Sequence, residues 1–224
     1  MTAKQHFNVV ICTPGHSLIA PYFRSFIDTA QMLADKGITW IFSNQYASHV
    51  ANAREMVANG GAENDVREQR PFKGEFTYDV MMWIDSDISW KPEDFLALYE
   101  SDKQITSGMY LLANGTVTAF KKMFDQPLTY EEAMKLEEPI KVEGCGFGFI
   151  AVKAGVFEGL SRPWFQSAMT TLQYDDQRYD FPIIGEDISW CKRVIQQGHE
   201  IWLDPSAKVT HHKTVQLAWE GIQP

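Results

Sequence analysis

Five apolar residues in a row, Val80-Met81-Met82-Trp83-Ile84, end abruptly in Asp85-Ser86-Asp87. A strand with no polar residue to turn toward water is buried on both faces, the situation of strands in parallel α/β sheets covered by helices on each side. Ligands of such sheets lie at the carboxyl ends of the strands, so the two carboxylates stand where a ligand would be. Both can turn toward one point and offer hard oxygen donors to Mg²⁺ or Mn²⁺, ions that bridge protein carboxylates to substrate phosphates. An Asp-x-Asp triplet arises by chance about once in a chain this rich in Asp, so its weight comes from its position. The alternative is a carboxylate-rich turn before a helix, since Pro92, Glu93 and Asp94 suit a first helical turn.

The segments before the run read as the start of a doubly wound sheet. A strand spans Asn8 to Cys12, Thr13-Pro14-Gly15 turns the chain at its carboxyl edge, and a helix follows from about Ile19 to Lys36. Gly37 closes that helix, and Ile38 to Phe42 supplies a second strand, completing a βαβ unit. Ser48 is placed to cap a helix reaching Asn59, Gly60 to Tyr78 is polar and irregular, and a further helix ends near Ser101. From Ile105 the pattern shortens and alternates, with a hairpin turn at Asn114-Gly115 and a strand from Phe147 to Lys153. The expected architecture is a single α/β domain over residues 1–224, with a nucleotide-binding half over about 1–104 and a smaller acceptor-side half over 105–224.

Charge and cysteine content narrow the function. Lys plus Arg is 20 and Asp plus Glu is 29, a net charge of −9 that argues against nucleic acid as a partner. An anionic substrate would then need a metal or a local basic cluster. Cys12, Cys145 and Cys191 are widely separated and odd in number, which fits neither a disulfide framework nor a zinc site and points to a reducing cytoplasm. No apolar stretch reaches membrane-spanning length and no signal-peptide pattern opens the chain.

Further candidates lie in the second half. Gly185-Glu186-Asp187 opens a helix whose apolar positions Ile188, Cys191, Val194 and Ile195 recur up to Gly198, and Asp187 shares the inward side with Cys191. A carboxylate there needs a partner or a ligand, unless it only bonds the first-turn amides. His211-His212 follows the strand-like Glu200 to Leu203, the Asp204-Pro205 turn and Lys208-Val209-Thr210. In an extended segment His211 faces the same side as Val209, able to complete a metal site, and His212 faces solvent. Gly144-Cys145-Gly146-Phe147-Gly148 lacks dinucleotide-fingerprint spacing, and its glycines permit close approach of a backbone or ligand. Arg54 could reach a phosphate from its helix. Trp164, Phe165 and Tyr174 could form an aromatic platform or lid, or pack in the core.

In this order the motifs resemble glycosyltransferases of the GT-A fold related to glycosyltransferase family 2: Thr13-Pro14, Ala53-Arg54, Trp83 to Ile88 with its DXD motif, the middle glycine segment, Gly185 to Arg193 with Gly198, and Asp204-Pro205-Ser206 with His211. The resemblance spans about residues 8 to 214 and rests on motif order. It implies a Rossmann-like, mostly parallel mixed sheet flanked by helices, binding a nucleoside diphosphate sugar and Mn²⁺ or Mg²⁺. Thr13, Pro14, Arg54, Asp85, Ser86 and Asp87 would hold the donor, with Asp85 near the ribose. Asp85, Asp87 and His211 would be the metal ligands. Asp187 would be the general base on the acceptor hydroxyl, and Gly146, Glu186 and Trp164 would lie near the donor sugar or the acceptor. The implied reaction inverts the anomeric centre and serves a glycan or other hydroxyl acceptor.

Two departures from the family pattern stand out. Ser43-Asn44-Gln45 occupies the place of an acid that contacts the nucleobase, leaving the donor open between UDP-sugar, the first expectation, and GDP- or dTDP-sugar. His212-Lys213-Thr214 replaces a glycine after the closing histidine, and by hypothesis Lys213 would add positive charge near the diphosphate. A sugar-phosphate nucleotidyltransferase is the alternative enzyme, although Thr13-Pro14-Gly15-His16 is no basic phosphate loop. A non-catalytic carbohydrate-binding module is the third reading.

Overall fold

The computed structural model describes residues 4–62, 67–123, 126–174, 177–213, 216–218 and 221–223, with side chains of 169–183 and beyond 213 left aside. The first half contains β1 (His6–Pro14), α1 (Ala20–Asp35), β2 (Trp40–Gln45), α2 (Val50–Asn59), β3 (Thr77–Ile84), β4 (Ile88–Ser89) and α3 (Pro92–Glu100). After these come β5 (Ile105–Met109), β6 (Ala119–Phe120), α4 (Tyr130–Ala133), β7 (Ile140–Val142), β8 (Gly144–Cys145), β9 (Phe149–Lys153) and α5 (Val156–Gly159). The hairpin of β10 (Ala168–Tyr174) and β11 (Gln177–Ile184), α6 (Glu186–Gln196), β12 (Ile201–Lys208) and β13 (Thr210–His211) follow.

Seven strands form the central sheet in the order β2-β1-β3-β9-β5-β12-β7. β1 pairs in parallel with β2 and β3, and β12 with β5, whereas β9 and β7 run against the other five. The double-sided burial read from the sequence is present. Met81 and Trp83 of β3 join the core beneath α2, α5 and α6, and Val80, Met82 and Ile84 join the core beneath α1 and α3. Trp83 meets the rings of Phe147 and Phe165 at 5.6 and 5.1 Å, a set of aromatic contacts that adds to the burial of the rings themselves. Among the described residues no helix is long and apolar enough to cross a membrane.

Several local expectations are revised. Thr13 and Pro14 lie inside β1, paired with Asn44 and Gln45, not in a turn. The Gly15 N–H bonds Gln45 O on the β2 side, so the N–H that Pro14 lacks would face β3, whose ladder has already ended at Cys12. β12 likewise runs through Asp204-Pro205, where the register shifts between Leu203 and Lys208 and Asp204 Oδ1 accepts the Ser206 N–H at 2.8 Å. α2 is capped at His49 rather than Ser48, without a side-chain bond. Gly37 and Gly198 do end their helices, at φ 68° and 90°, where a side chain would be strained.

Candidate functional site

β3 delivers Asp85 to the carboxyl edge of the sheet, and the turn after it is fixed by backbone bonds. The Asp85 N–H donates to Gly148 O at 3.0 Å and the Ile88 N–H to Asp85 O at 3.1 Å. β13 is sewn to this turn: it pairs antiparallel with β4, so Thr210 faces Ser89 and His211 faces Ile88, and the His212 N–H donates to Asp87 O at 2.9 Å. Residues 124 positions apart in sequence are thereby brought together, with His211 Nε2 lying 3.2 Å from Asp87 Oδ2. Lys213 Nζ approaches the same oxygen at 3.1 Å. His212, expected in solvent, is half-buried, and its Nε2 meets Ser89 Oγ at 2.7 Å.

A cavity of about 350 Å³ opens at this edge. Asp85, Asp87, Asp187, His211 and Lys213 supply its charged groups. Tyr110, Leu112, Phe120 and Ile188 give it an apolar wall, and Gly146 a bare backbone floor. Asp187 reaches it from the first turn of α6, as its spacing from Cys191 implied.

Arg54 organises the carboxylates from below. Its side chain is 5% exposed; one terminal nitrogen contacts both Asp85 oxygens at 2.9 and 3.0 Å, and the other contacts Glu186 Oε1 at 2.5 Å. The guanidinium lies 5.3 Å from the Phe147 ring centre. Arg54, expected from the sequence to hold the donor, has both terminal nitrogens on carboxylates, while its Nε is buried without a partner among the described residues. Both Asp85 oxygens are engaged by Arg54, and the expected three-ligand set is not assembled. Among the described residues no group of three or more His, Cys, Asp or Glu side chains is arranged to hold a metal.

The remaining pair still suits a divalent ion. Mg²⁺-type ions take one or two protein ligands and fill the rest of their octahedron with phosphate and water, and adjacent ligands at bonds of about 2.1 Å stand roughly 3 Å apart. His211 Nδ1 lies 3.0 Å from Leu111 O, a carbonyl that can only accept, so Nδ1 carries the hydrogen. Nε2 is thereby left to meet Asp87 through a proton or a metal ion.

Asp187 differs from its neighbours. Among the described residues it is the cavity carboxylate without an ion-pair partner; its Oδ1 accepts only the Ile188 N–H, at 2.7 Å. Burial raises its pKa above the ordinary Asp value, and the Glu186 and Asp85 charges add to this, while the Arg54 charge opposes it.

Other expected residues fall elsewhere. The Thr13 side chain is fully buried against the Tyr22 hydroxyl at 2.5 Å, and Pro14 is buried, so neither side chain is presented to a nucleotide. Ser86 packs on Gly15, where a Cβ would come within 2.8 Å of it. Glu186 is held by Arg54. Trp164 is no platform: it is fully buried beside Phe157, and Phe165 is buried with it. Loops between apolar elements bury aromatics as readily as they display them. The Tyr174 side chain lies outside the described residues. Sequence reading missed Tyr110, whose only trace was the Gly146-Phe147-Gly148 spacing it requires, because a Cβ at Gly146 would lie 2.1 Å from the Tyr110 hydroxyl.

The chain superimposes on the crystal structure of A197 from STIV with a TM-score of 0.57 at 19% identity, over 96% of this chain and 91% of that one. It also superimposes on GalNAc-T7, solved with UDP, GalNAc and Mn²⁺, with a TM-score of 0.52 at 11% identity, over 92% of this chain and 43% of that one. No family model matches the chain, and no curated protein matches it in sequence. The fold is GT-A-like, resembling that of glycosyltransferases.

Proposed function

We propose that this protein is a metal-dependent glycosyltransferase that moves a sugar from a nucleoside diphosphate donor, a UDP-sugar first, to a hydroxyl acceptor with inversion. The observation that carries the reading is the cavity at the sheet's carboxyl edge, where His211 Nε2 lies 3.2 Å from Asp87 Oδ2 and Asp187, among the described residues, has no ion-pair partner. Asp87 and His211 would hold Mn²⁺ or Mg²⁺, which, when bound, stabilises negative charge on the leaving diphosphate. Lys213, 3.1 Å from Asp87 and half-exposed, is within reach of the same phosphates and supplies a second positive charge.

The donor sugar would lie over the Gly146 backbone beside the Tyr110 hydroxyl, with Asp85 and Glu186 fixed by Arg54. Asp187 takes the proton from the acceptor hydroxyl as the new bond to the anomeric carbon forms and the bond to the diphosphate breaks. A carboxylate with its pKa raised by burial is, once ionised, a stronger base than an exposed one. Among the described residues Asp85 and Asp87 are both paired with cations and Asp187 is not, which favours Asp187 as the base; inversion follows from the resemblance to family 2.

Incubation with Mn²⁺ and a panel of UDP-, GDP- and dTDP-sugars tests the reading. Release of the nucleoside diphosphate from at least one donor, accelerated by an acceptor, is expected. Pyrophosphate release from a nucleoside triphosphate and a sugar phosphate, with no turnover of any sugar nucleotide, would instead mark a nucleotidyltransferase.

A further inference from the structure

Tyr110 directly follows β5, is 6% exposed, and touches both halves of the site. Its ring stands edge-on to the His211 imidazole, with centroids 5.3 Å apart at 85°. The next residue's carbonyl, Leu111 O, takes the Nδ1 hydrogen of the same imidazole at 3.0 Å. On its other side the Tyr110 hydroxyl accepts the Gly148 N–H at 3.0 Å, and Gly148 O in turn accepts the Asp85 N–H at 3.0 Å. The glycines are cut to fit it: a Cβ at Gly146 would lie 2.1 Å from the hydroxyl and one at Gly148 2.6 Å from the ring. Burial lifts the phenol well above its ordinary pKa, so it stays protonated and neutral.

We propose that Tyr110 is a positioning residue with two separable roles: its ring holds the His211 imidazole against Asp87, and its hydroxyl holds the Gly146–Gly148 floor beneath the donor sugar. This deepens the glycosyltransferase reading and rests on it. β13, which carries His211, is two residues long, so the imidazole depends on its neighbours for its direction. Partners that orient a metal-ligating histidine commonly change metal affinity by about 10- to 100-fold when removed.

The test separates the two roles. Tyr110→Phe keeps the ring and removes the hydroxyl, whereas Tyr110→Leu removes both. Mn²⁺ is titrated calorimetrically into each protein with UDP present, and amide hydrogen exchange is followed at Gly146 and Gly148. Tyr110→Phe is expected to bind Mn²⁺ within about twofold of wild type yet to exchange faster at Gly148, and Tyr110→Leu to bind Mn²⁺ about 10- to 100-fold more weakly. A purely structural tyrosine would weaken Mn²⁺ binding in both variants in step with lost stability. Wild type that binds Mn²⁺ while Tyr110→Leu matches it, or Tyr110→Phe that loses Mn²⁺ as fully as Tyr110→Leu, overturns the positioning role alone. Wild type that binds no Mn²⁺ overturns the metal reading and this role together.

Discussion

Arg54 and Asp187 set the charge balance of the cavity in opposite ways. Replacing Arg54 by Met would leave Asp85 and Glu186 unpaired in a largely enclosed place, a loss of about 3–5 kcal/mol measurable by urea denaturation. Asp187 carries the reverse effect. Because the folded state raises its pKa, it contributes stability below the unfolded carboxylate value near 4, and that contribution is lost as pH rises through the folded value. Asp187→Asn should therefore melt higher than wild type at pH 7, with the difference vanishing toward pH 3. The same variant should transfer sugar roughly 10²- to 10⁴-fold more slowly, and the wild-type rate should rise with pH through a midpoint above the ordinary carboxylate range. The place of Asp85, Asp87 and Asp187 at one cavity was legible because two follow a buried strand and the third lies on the inward side of a helix start. Arg54's engagement was not, since its partners lie 31 and 132 positions away and no periodicity connects them.

At the scale of elements, α2 and α6 share one strap, the chain from Ser161 to Phe165. Glu55, next to Arg54 on α2, accepts from Arg162 Nε at 2.6 Å and from the Trp164 and Phe165 amides at 2.8 and 3.2 Å. Arg193 of α6 grips the opposite side through Pro163 O at 2.6 Å and Trp164 O at 2.9 Å. Glu55→Ala should destabilise the fold, seen as a lower melting temperature, by removing the carboxylate that holds Arg162 Nε and the strap amides, and the Trp164 and Phe165 amides should lose hydrogen-exchange protection. Gly146→Ala should destabilise by about 1–3 kcal/mol through collision with Tyr110, seen as a lower melting temperature. The helices were readable because glycines in the left-handed region close them; the strap was not, because the Glu55 and Arg193 bonds that hold it come from residues distant in sequence.

For the whole molecule, the five-residue apolar run correctly implied a sheet covered on both faces. The positions of antiparallel β9, between β3 and β5, and of β7 at the sheet edge come from long-range pairing that local pattern cannot reveal. That pairing gives the site its floor, since β9 follows directly on Gly148, whose carbonyl holds the Asp85 turn. To bind a diphosphate as proposed, a chain of net charge −9 would draw on local positive charge, which Lys213 and the proposed divalent ion would supply. The decisive measurement is calorimetric titration of UDP, GDP and dTDP into the wild-type protein with Mn²⁺ and with excess EDTA, repeated on Asp87→Asn. Binding of at least one nucleotide that needs Mn²⁺ and is lost with EDTA and in Asp87→Asn is the predicted result. Binding that is the same with and without Mn²⁺ and unaffected by the substitution, or no binding of any of the three, would contradict it.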